Sequence, residues 1–300
     1  MKLFRSVIYL VTLFAGMAST AQPSVTLPGN RIMDVMDSGQ MAKAKKLNIF
    51  VISKRHKGKL DLATRYNVFR TKLKAFFQPN HFISIVAKNE TQACDAIVSQ
   101  LDKRQSNIGT IWFDSHGEYI KGYSLFTIGK DEINFQSLKN PTINAPLKKL
   151  AAYANRDTRV VIGSCYGGAT YRRSSIDYKD TTRMNGDSLM FEMGNIFNRS
   201  TIYASESWVM TSPGLFMERG SVAGYPGRNL FHDLCYRPAW ENIGKWNEYK
   251  PAEKTFRSVN PVTLDKYGNL KLRIWSYDGH TDVNKAISTN LAKLGPGLYR

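Results

Sequence analysis

Val160-Val161-Ile162-Gly163-Ser164-Cys165-Tyr166-Gly167-Gly168, read together with Thr110-Ile111-Trp112-Phe113-Asp114-Ser115-His116-Gly117, decides the fold. Each is a short β-branched or aromatic run that stops abruptly in small residues, the pattern of a buried strand entering a tight turn. One run delivers a thiol at its C-terminal end and the other an imidazole. If the two strands are parallel neighbours, both groups emerge at one rim of the sheet, where open α/β folds bind their ligands. A Cys and a His meeting at such a rim form a nucleophile and its base.

Outward from these stretches the chain alternates between strand and helix. Leu47 to Ile52, Phe82 to Ala87 and Thr201 to Ser205 read as further buried strands. Leu62, Tyr66, Phe69, Leu73 and Phe76 recur in steps of three and four, which predicts a helix with that stripe facing the core, and Pro79 closes it. Asn89 caps the next helix with Gln92 at N3; its inward face is Cys94, Ile97, Val98 and Leu101. Residues 119–135 read as a small antiparallel excursion. Leu147 to Ala154 and Leu189 to Phe197 supply two more helices. Val262 to Leu264 and Leu270 to Ile274 form a hairpin, with short helices expected at Leu230 to Trp240 and Val283 to Leu294. Strand and helix in alternation produce a three-layer α/β sandwich: a mostly parallel sheet flanked by helices on both faces, here with a C-terminal β-hairpin extension.

The first residues carry a secretory signal pattern: Lys2 and Arg5, an apolar run from Val7 to Ala15, and the small residues Ser19-Thr20-Ala21. That run is too short to span a bilayer, so a cleaved signal over residues 1–21 and a secreted or periplasmic protein without a transmembrane segment are expected. Residues 22–45 read as an irregular leader or pro-segment, 46–235 as the main α/β domain, and 236–300 as an extension packed on it. The formal charge is +18, of which Lys2 and Arg5 contribute two, with 42% apolar and 22% charged residues. This excess favours an anionic surface or an acidic partner, but no nucleic-acid-binding motif accompanies it. Three cysteines, Cys94, Cys165 and Cys235, leave at least one thiol unpaired or committed to chemistry, and any of three pairings is open.

The strand ending in Ser115-His116-Gly117, followed by one ending in Ser164-Cys165-Tyr166-Gly167-Gly168, resembles the caspase, legumain, gingipain and metacaspase group of cysteine peptidases, over about Leu47 to Ser207. The interval between His116 and Cys165 fits their spacing of roughly 50 residues. The resemblance implies a caspase-like peptidase domain, no metal or cofactor, and a protein or peptide substrate. Cys165 would attack the scissile carbonyl and His116 would protonate the departing amine. The amides of Gly117 and Cys165 would form the oxyanion hole. Asp114 and Glu118 are near enough to orient the imidazole, although the family manages without a strict third member. It implies a substrate pocket drawn from Lys54, Arg55, Gly163, Ser205, Glu206 and Trp208, with conflicting cues. Gly163 stands where members that cleave after basic residues carry an acid; Lys54-Arg55 suits an acidic P1; Glu206 suits a basic one. The loop from Tyr166 to Asp187 would be an autocleavage site. The competing reading is a catalytically silent scaffold of the same fold whose basic surface binds an anionic partner.

Overall fold

Runs of alternating side chains build the centre of the molecule. The structure, a computed structural model, describes residues 45–53, 62–117, 123–170, 184–206, 209–211, 222–223, 246–259, 262–264 and 270–272. The chain divides into Met1–Lys43 and Ala44–Arg300, and every described residue lies in the second unit. The signal and nearly all of the leader, Lys54, Arg55, Glu118, Trp208, Cys235 and the two short C-terminal helices expected from sequence lie outside the described residues, as do residues 171–183 of the polar loop.

Seven strands form one sheet: β1 (Lys45–Ser53), β2 (Phe82–Ala87), β3 (Ser106–Asp114), β6 (Arg159–Gly163), β7 (Thr201–Ser205), β10 (Trp246–Lys250) and β11 (Thr255–Val259). Their order is β11-β10-β7-β6-β3-β1-β2. The five from β2 to β7 are parallel, whereas β10 runs antiparallel to both β7 and β11. The strands therefore begin one place in from an edge, step to the edge at β2, return past β1 to β3, and continue to the opposite side. The reversal between β1 and β3 is a topological switch point, where the connections leave a crevice at the strands' carboxyl ends. Among the described residues there are also three small antiparallel pairs: β4 (Leu125–Ile128) with β5 (Asp131–Asn134), β8 (Met210–Thr211) with β9 (Val222–Ala223), and β12 (Val262–Leu264) with β13 (Leu270–Leu272).

Because successive strand residues point to opposite sides, the two faces carry different cores. Leu47, Ile49, Val51, Ile111, Phe113, Val160, Ile162 and Ile202 share one face with the buried residues of helices α2 (Glu90–Arg104), α3 (Pro141–Ala151) and α4 (Gly186–Ile196). Phe50, Ile52, Phe82, Trp112, Val161, Tyr203 and Trp246 form the other, against Val68 and Ala75 of helix α1 (Leu62–Phe77). Asn89 caps α2 as its sequence predicts, accepting from the Gln92 N–H at 2.9 Å. Cys94 is buried on the inner face of that helix.

α1 departs from the expectation. Its apolar stripe turns toward water: Tyr66, Phe69 and Phe76 are exposed, Leu73 is half-buried, and among the residues whose burial is described the buried ones are Thr64, Asn67, Arg70, Thr71 and Lys74. The cause is the sheet face beneath it, which offers polar partners and aromatic rings. The Thr71 hydroxyl meets that of Ser84 at 2.8 Å, the Asn67 amide donates to Asp114 Oδ2 at 3.1 Å, and Lys74 Nζ lies 5.6 Å from the Phe82 ring centroid. A ring face accommodates a cation that aliphatic packing would exclude.

Candidate functional site

Two facts of register bring the site together. β3 and β6 are adjacent and parallel, with Asp114 opposite Gly163 as the last pair. His116 and Cys165 each stand two residues beyond that pair, so both leave the sheet at the same height on neighbouring strands. His116 is exposed and Cys165 half-buried. No disulfide joins Cys94 and Cys165.

Gly117 lies against the backbone of Cys165. A β-carbon at Gly117 would stand 2.8 Å from the Cys165 carbonyl carbon and 2.9 Å from its amide nitrogen, closer than real β-carbons come. Only glycine lets the two motif backbones approach in this way.

The turn after Cys165 is held from several sides. Tyr166 adopts φ +59°, a left-handed conformation uncommon outside glycine. Its ring is buried with Ala169 and Met184, and its carbonyl accepts from the Ser124 hydroxyl at 2.8 Å. Such a conformation persists where its surroundings over-determine it. The Gly168 N–H donates to the Ser205 carbonyl at 2.8 Å, which ties the turn to the end of β7.

The β4–β5 hairpin clasps the strand ends. Ser164 Oγ donates to the Leu125 carbonyl at 2.8 Å, and the Thr127 N–H donates to Ser115 Oγ at 2.9 Å. Ser53 Oγ donates to the Thr127 carbonyl, and the Lys130 N–H to the Lys88 carbonyl at 3.0 Å. Thus β1, β2, β3 and β6 all end on one hairpin.

Val209, just beyond β7, lies over the sulfur. Its N–H donates to Cys165 Sγ at 3.5 Å, and the thiol faces its carbonyl at 4.0 Å. Val209 thus offers the sulfur both a main-chain donor and a main-chain acceptor.

The remaining candidates fall in different surroundings. Gly163 gives its space to Trp112, for a β-carbon there would stand 2.8 Å from two indole carbons. Ser205 is fully buried at the end of β7. Glu206 is buried beside the turn: its Oε1 accepts from the Asn247 amide at 2.9 Å and the Thr170 hydroxyl at 3.3 Å, and Asn247 also donates to the Gly168 carbonyl at 2.8 Å. Asp114 turns toward α1, where Asn67 donates to it and the Arg70 guanidinium lies nearby. Burial pushes Arg70 down to about 10, a fall that the Asp114 charge only partly offsets.

Sequence reading missed Val209, Asn247 and the hairpin serines. Val209 acts through its main chain, and the hydroxyls of Ser53, Ser115 and Ser164 bond main-chain groups of the hairpin, which no side-chain motif advertises. Asn247 sits in β10, whose sequence Trp-Asn-Glu-Tyr-Lys lacks an apolar alternation. Among the described residues no cluster of three or more His, Cys, Asp or Glu is gathered to hold a metal ion, and no helix is long and apolar enough to cross a membrane. Comparison with protein-family models and with curated proteins finds no match to this chain.

Proposed function

We propose that the chain is a cysteine endopeptidase of caspase-like fold, using His116 and Cys165 as its dyad. The observation that carries the reading is the register of β3 and β6: two in-step parallel strands, each with its reactive residue two positions past the last pair. The close approach of Gly117 to the Cys165 backbone is compatible with an oxyanion hole built from the N–H groups of those two residues. The strand order, with five parallel strands and an antiparallel sixth, is compatible with the same resemblance.

In this mechanism the Cys165 thiolate attacks the carbonyl carbon of a peptide bond, and the negative charge moves to the carbonyl oxygen. As the C–N bond breaks, His116 gives a proton to the departing amine and a thioester remains on Cys165. Water then attacks the thioester; His116 takes its proton, the C–S bond breaks, and the carboxylic acid leaves with Cys165 returned to the thiolate beside a protonated His116. The Val209 N–H donates to the sulfur at the start and end of the cycle. The reading takes the chain as exported after loss of residues 1–21, which the mass of the secreted protein checks.

The test is cleavage of a denatured protein substrate by the wild type, Cys165→Ala and His116→Ala, together with mapping of iodoacetamide-labelled cysteines. Both variants should lose at least about a thousandfold in rate while unfolding at the wild-type temperature, and Cys165 should label far faster than Cys94. Undiminished cleavage in either variant, or unfolding of both, overturns the proposal.

A further inference from the structure

Among the described residues, the outward face of α1 gathers four of the six large hydrophobic side chains that are exposed. Phe69 is 57% exposed, Phe76 76% and Phe77 62%, with Tyr66 at 37% and Leu73 half-buried beside them. Spacings of three, four and seven residues bring Tyr66, Phe69, Leu73 and Phe76 to one side. Exposed apolar groups gathered in this way mark an interaction surface rather than ordinary scatter.

The charges around them define the partner. Helix α1 contains Arg65, Arg70, Lys72 and Lys74 and no acidic residue. Arg65 and Lys72 are exposed on the same side as the rings. Past the C-terminal end of the helix stand two more cations: Lys45 Nζ donates to Asn80 Oδ1 at 3.2 Å, and the Arg104 guanidinium donates to the Pro79 carbonyl. Rings flanked by cations, on a helix lying flat against its own sheet, are what a helix needs to rest in the headgroup layer of a bilayer. There Phe and Tyr enter the acyl boundary while Arg and Lys meet anionic headgroups. A second copy fits less well, because two such faces would set Arg65 and Lys72 against like charges.

We infer that the outward face of α1 docks the protein on an anionic lipid surface, peripherally, with Phe69 and Phe76 as the inserted side chains and Arg65 and Lys72 as the headgroup contacts. The inference stands whether or not the Cys165 dyad is catalytic.

Co-sedimentation of the full chain with lipid vesicles tests it, comparing phosphatidylcholine containing phosphatidylglycerol with phosphatidylcholine alone. The wild type should pellet with the anionic vesicles and remain in solution with the neutral ones. Two double variants, Phe69→Ser with Phe76→Ser and Arg65→Glu with Lys72→Glu, should each weaken partitioning on the order of tenfold or more. Both alter exposed positions, and circular dichroism melting confirms that each remains folded. Absence of wild-type pelleting overturns the inference. So does pelleting that the serine variant leaves unchanged, which would mean attraction by overall charge alone. A dimer in sedimentation velocity that the serine variant dissolves, without vesicle binding, overturns it in favour of a second copy.

Discussion

The two faces of the central sheet are built on different principles. Under α2, α3 and α4 the contacts are largely aliphatic: Ile97, Leu101, Leu147, Leu150, Leu189 and Met193 close over Ile49, Ile111 and Ile162. Under α1 and beside β10, aromatic rings share the space with buried polar and charged groups. Phe50 stacks on Trp112 at 6.0 Å, and Trp112 meets Trp246 edge-on at 5.9 Å. Arg70, Lys74 and Glu248 are buried among or beside them. Aliphatic packing gives stability in proportion to the area removed from water, whereas buried polar pairs largely fix where groups stand. The second face meets the candidate site through Trp112 at Gly163 and through Asn67 at Asp114, whereas the first meets it through the β4–β5 hairpin, whose Phe126 and Ile128 lie in the aliphatic core.

The sharpest way to break this contrast uses opposite faces. Trp112→Ala should cost about 3–5 kcal/mol and slow alkylation of Cys165, because Gly163 loses its neighbour. Leu101→Ala should cost about 2–5 kcal/mol and leave the alkylation rate of the folded protein unchanged. Chemical denaturation and thiol kinetics read both, and equal effects on Cys165 would erase the distinction.

A smaller effect is expected at Arg70. Its burial depresses the guanidinium to about 10, so the charge is held at a cost. Arg70→Met, which keeps the stem, should unfold within about 1 kcal/mol of the wild type; Arg70→Ala should lose about 1–2 kcal/mol more through the cavity. A large loss in the Met variant would mean that the charge itself holds Asp114.

The next contrast lies in pH. Glu90 sits at the rim of the aliphatic face, and burial, aided by the Asp131 charge, raises its carboxyl from 4.5 to about 8. The folded state therefore holds a proton that the unfolded chain releases near 4.5. The associated stability is complete below that pH and is lost as pH rises through about 8. Glu90→Gln should flatten this part of the stability–pH curve, as measured by urea midpoints.

Glu248 behaves oppositely and more weakly. Burial alone would raise its carboxyl, but Arg257, bonded at 2.7 Å, and the Tyr203 hydroxyl, also at 2.7 Å, hold it below its ordinary value. That contribution is present above the ordinary carboxylate range and fades as pH falls through the lowered value. Arg257→Gln should shallow the acid limb of the same curve.

The legibility of the sequence follows the same division. β1, β2, β3, β6 and β7 are short runs of Val, Ile, Phe and Trp whose burial follows from composition, and the Asn89 cap and the β4–β5 hairpin are local signals. Their order allowed the neighbourhood of β3 and β6 to be anticipated, and the register of Asp114 with Gly163 agrees. The failures cluster on the polar face. The stripe of α1 looked like a core stripe because periodicity reports a face without saying which way it turns; Ser84, Asp114 and the Phe82 ring decide that. β10 and β11 escaped notice because Glu248 becomes a buried strand residue only once Arg257, across the turn, and Tyr203, 45 residues away, are beside it. The main chain of Val209 over the sulfur has no side-chain signature at all.

The hairpin that gathers four strand ends also bears on how the molecule is made. Its bonds to Ser164 and Ser53 join residues 39 and 74 positions apart, so the clasp can close only after those strands have found one another. Pulse-labelled amide exchange during refolding should protect Ile111 and Val161 before Thr127; the reverse order would contradict this sequence of events. A nascent chain would then hold its finished scaffold for a time before the corner around Cys165 takes shape, so that assembly runs ahead of any chemistry that corner performs.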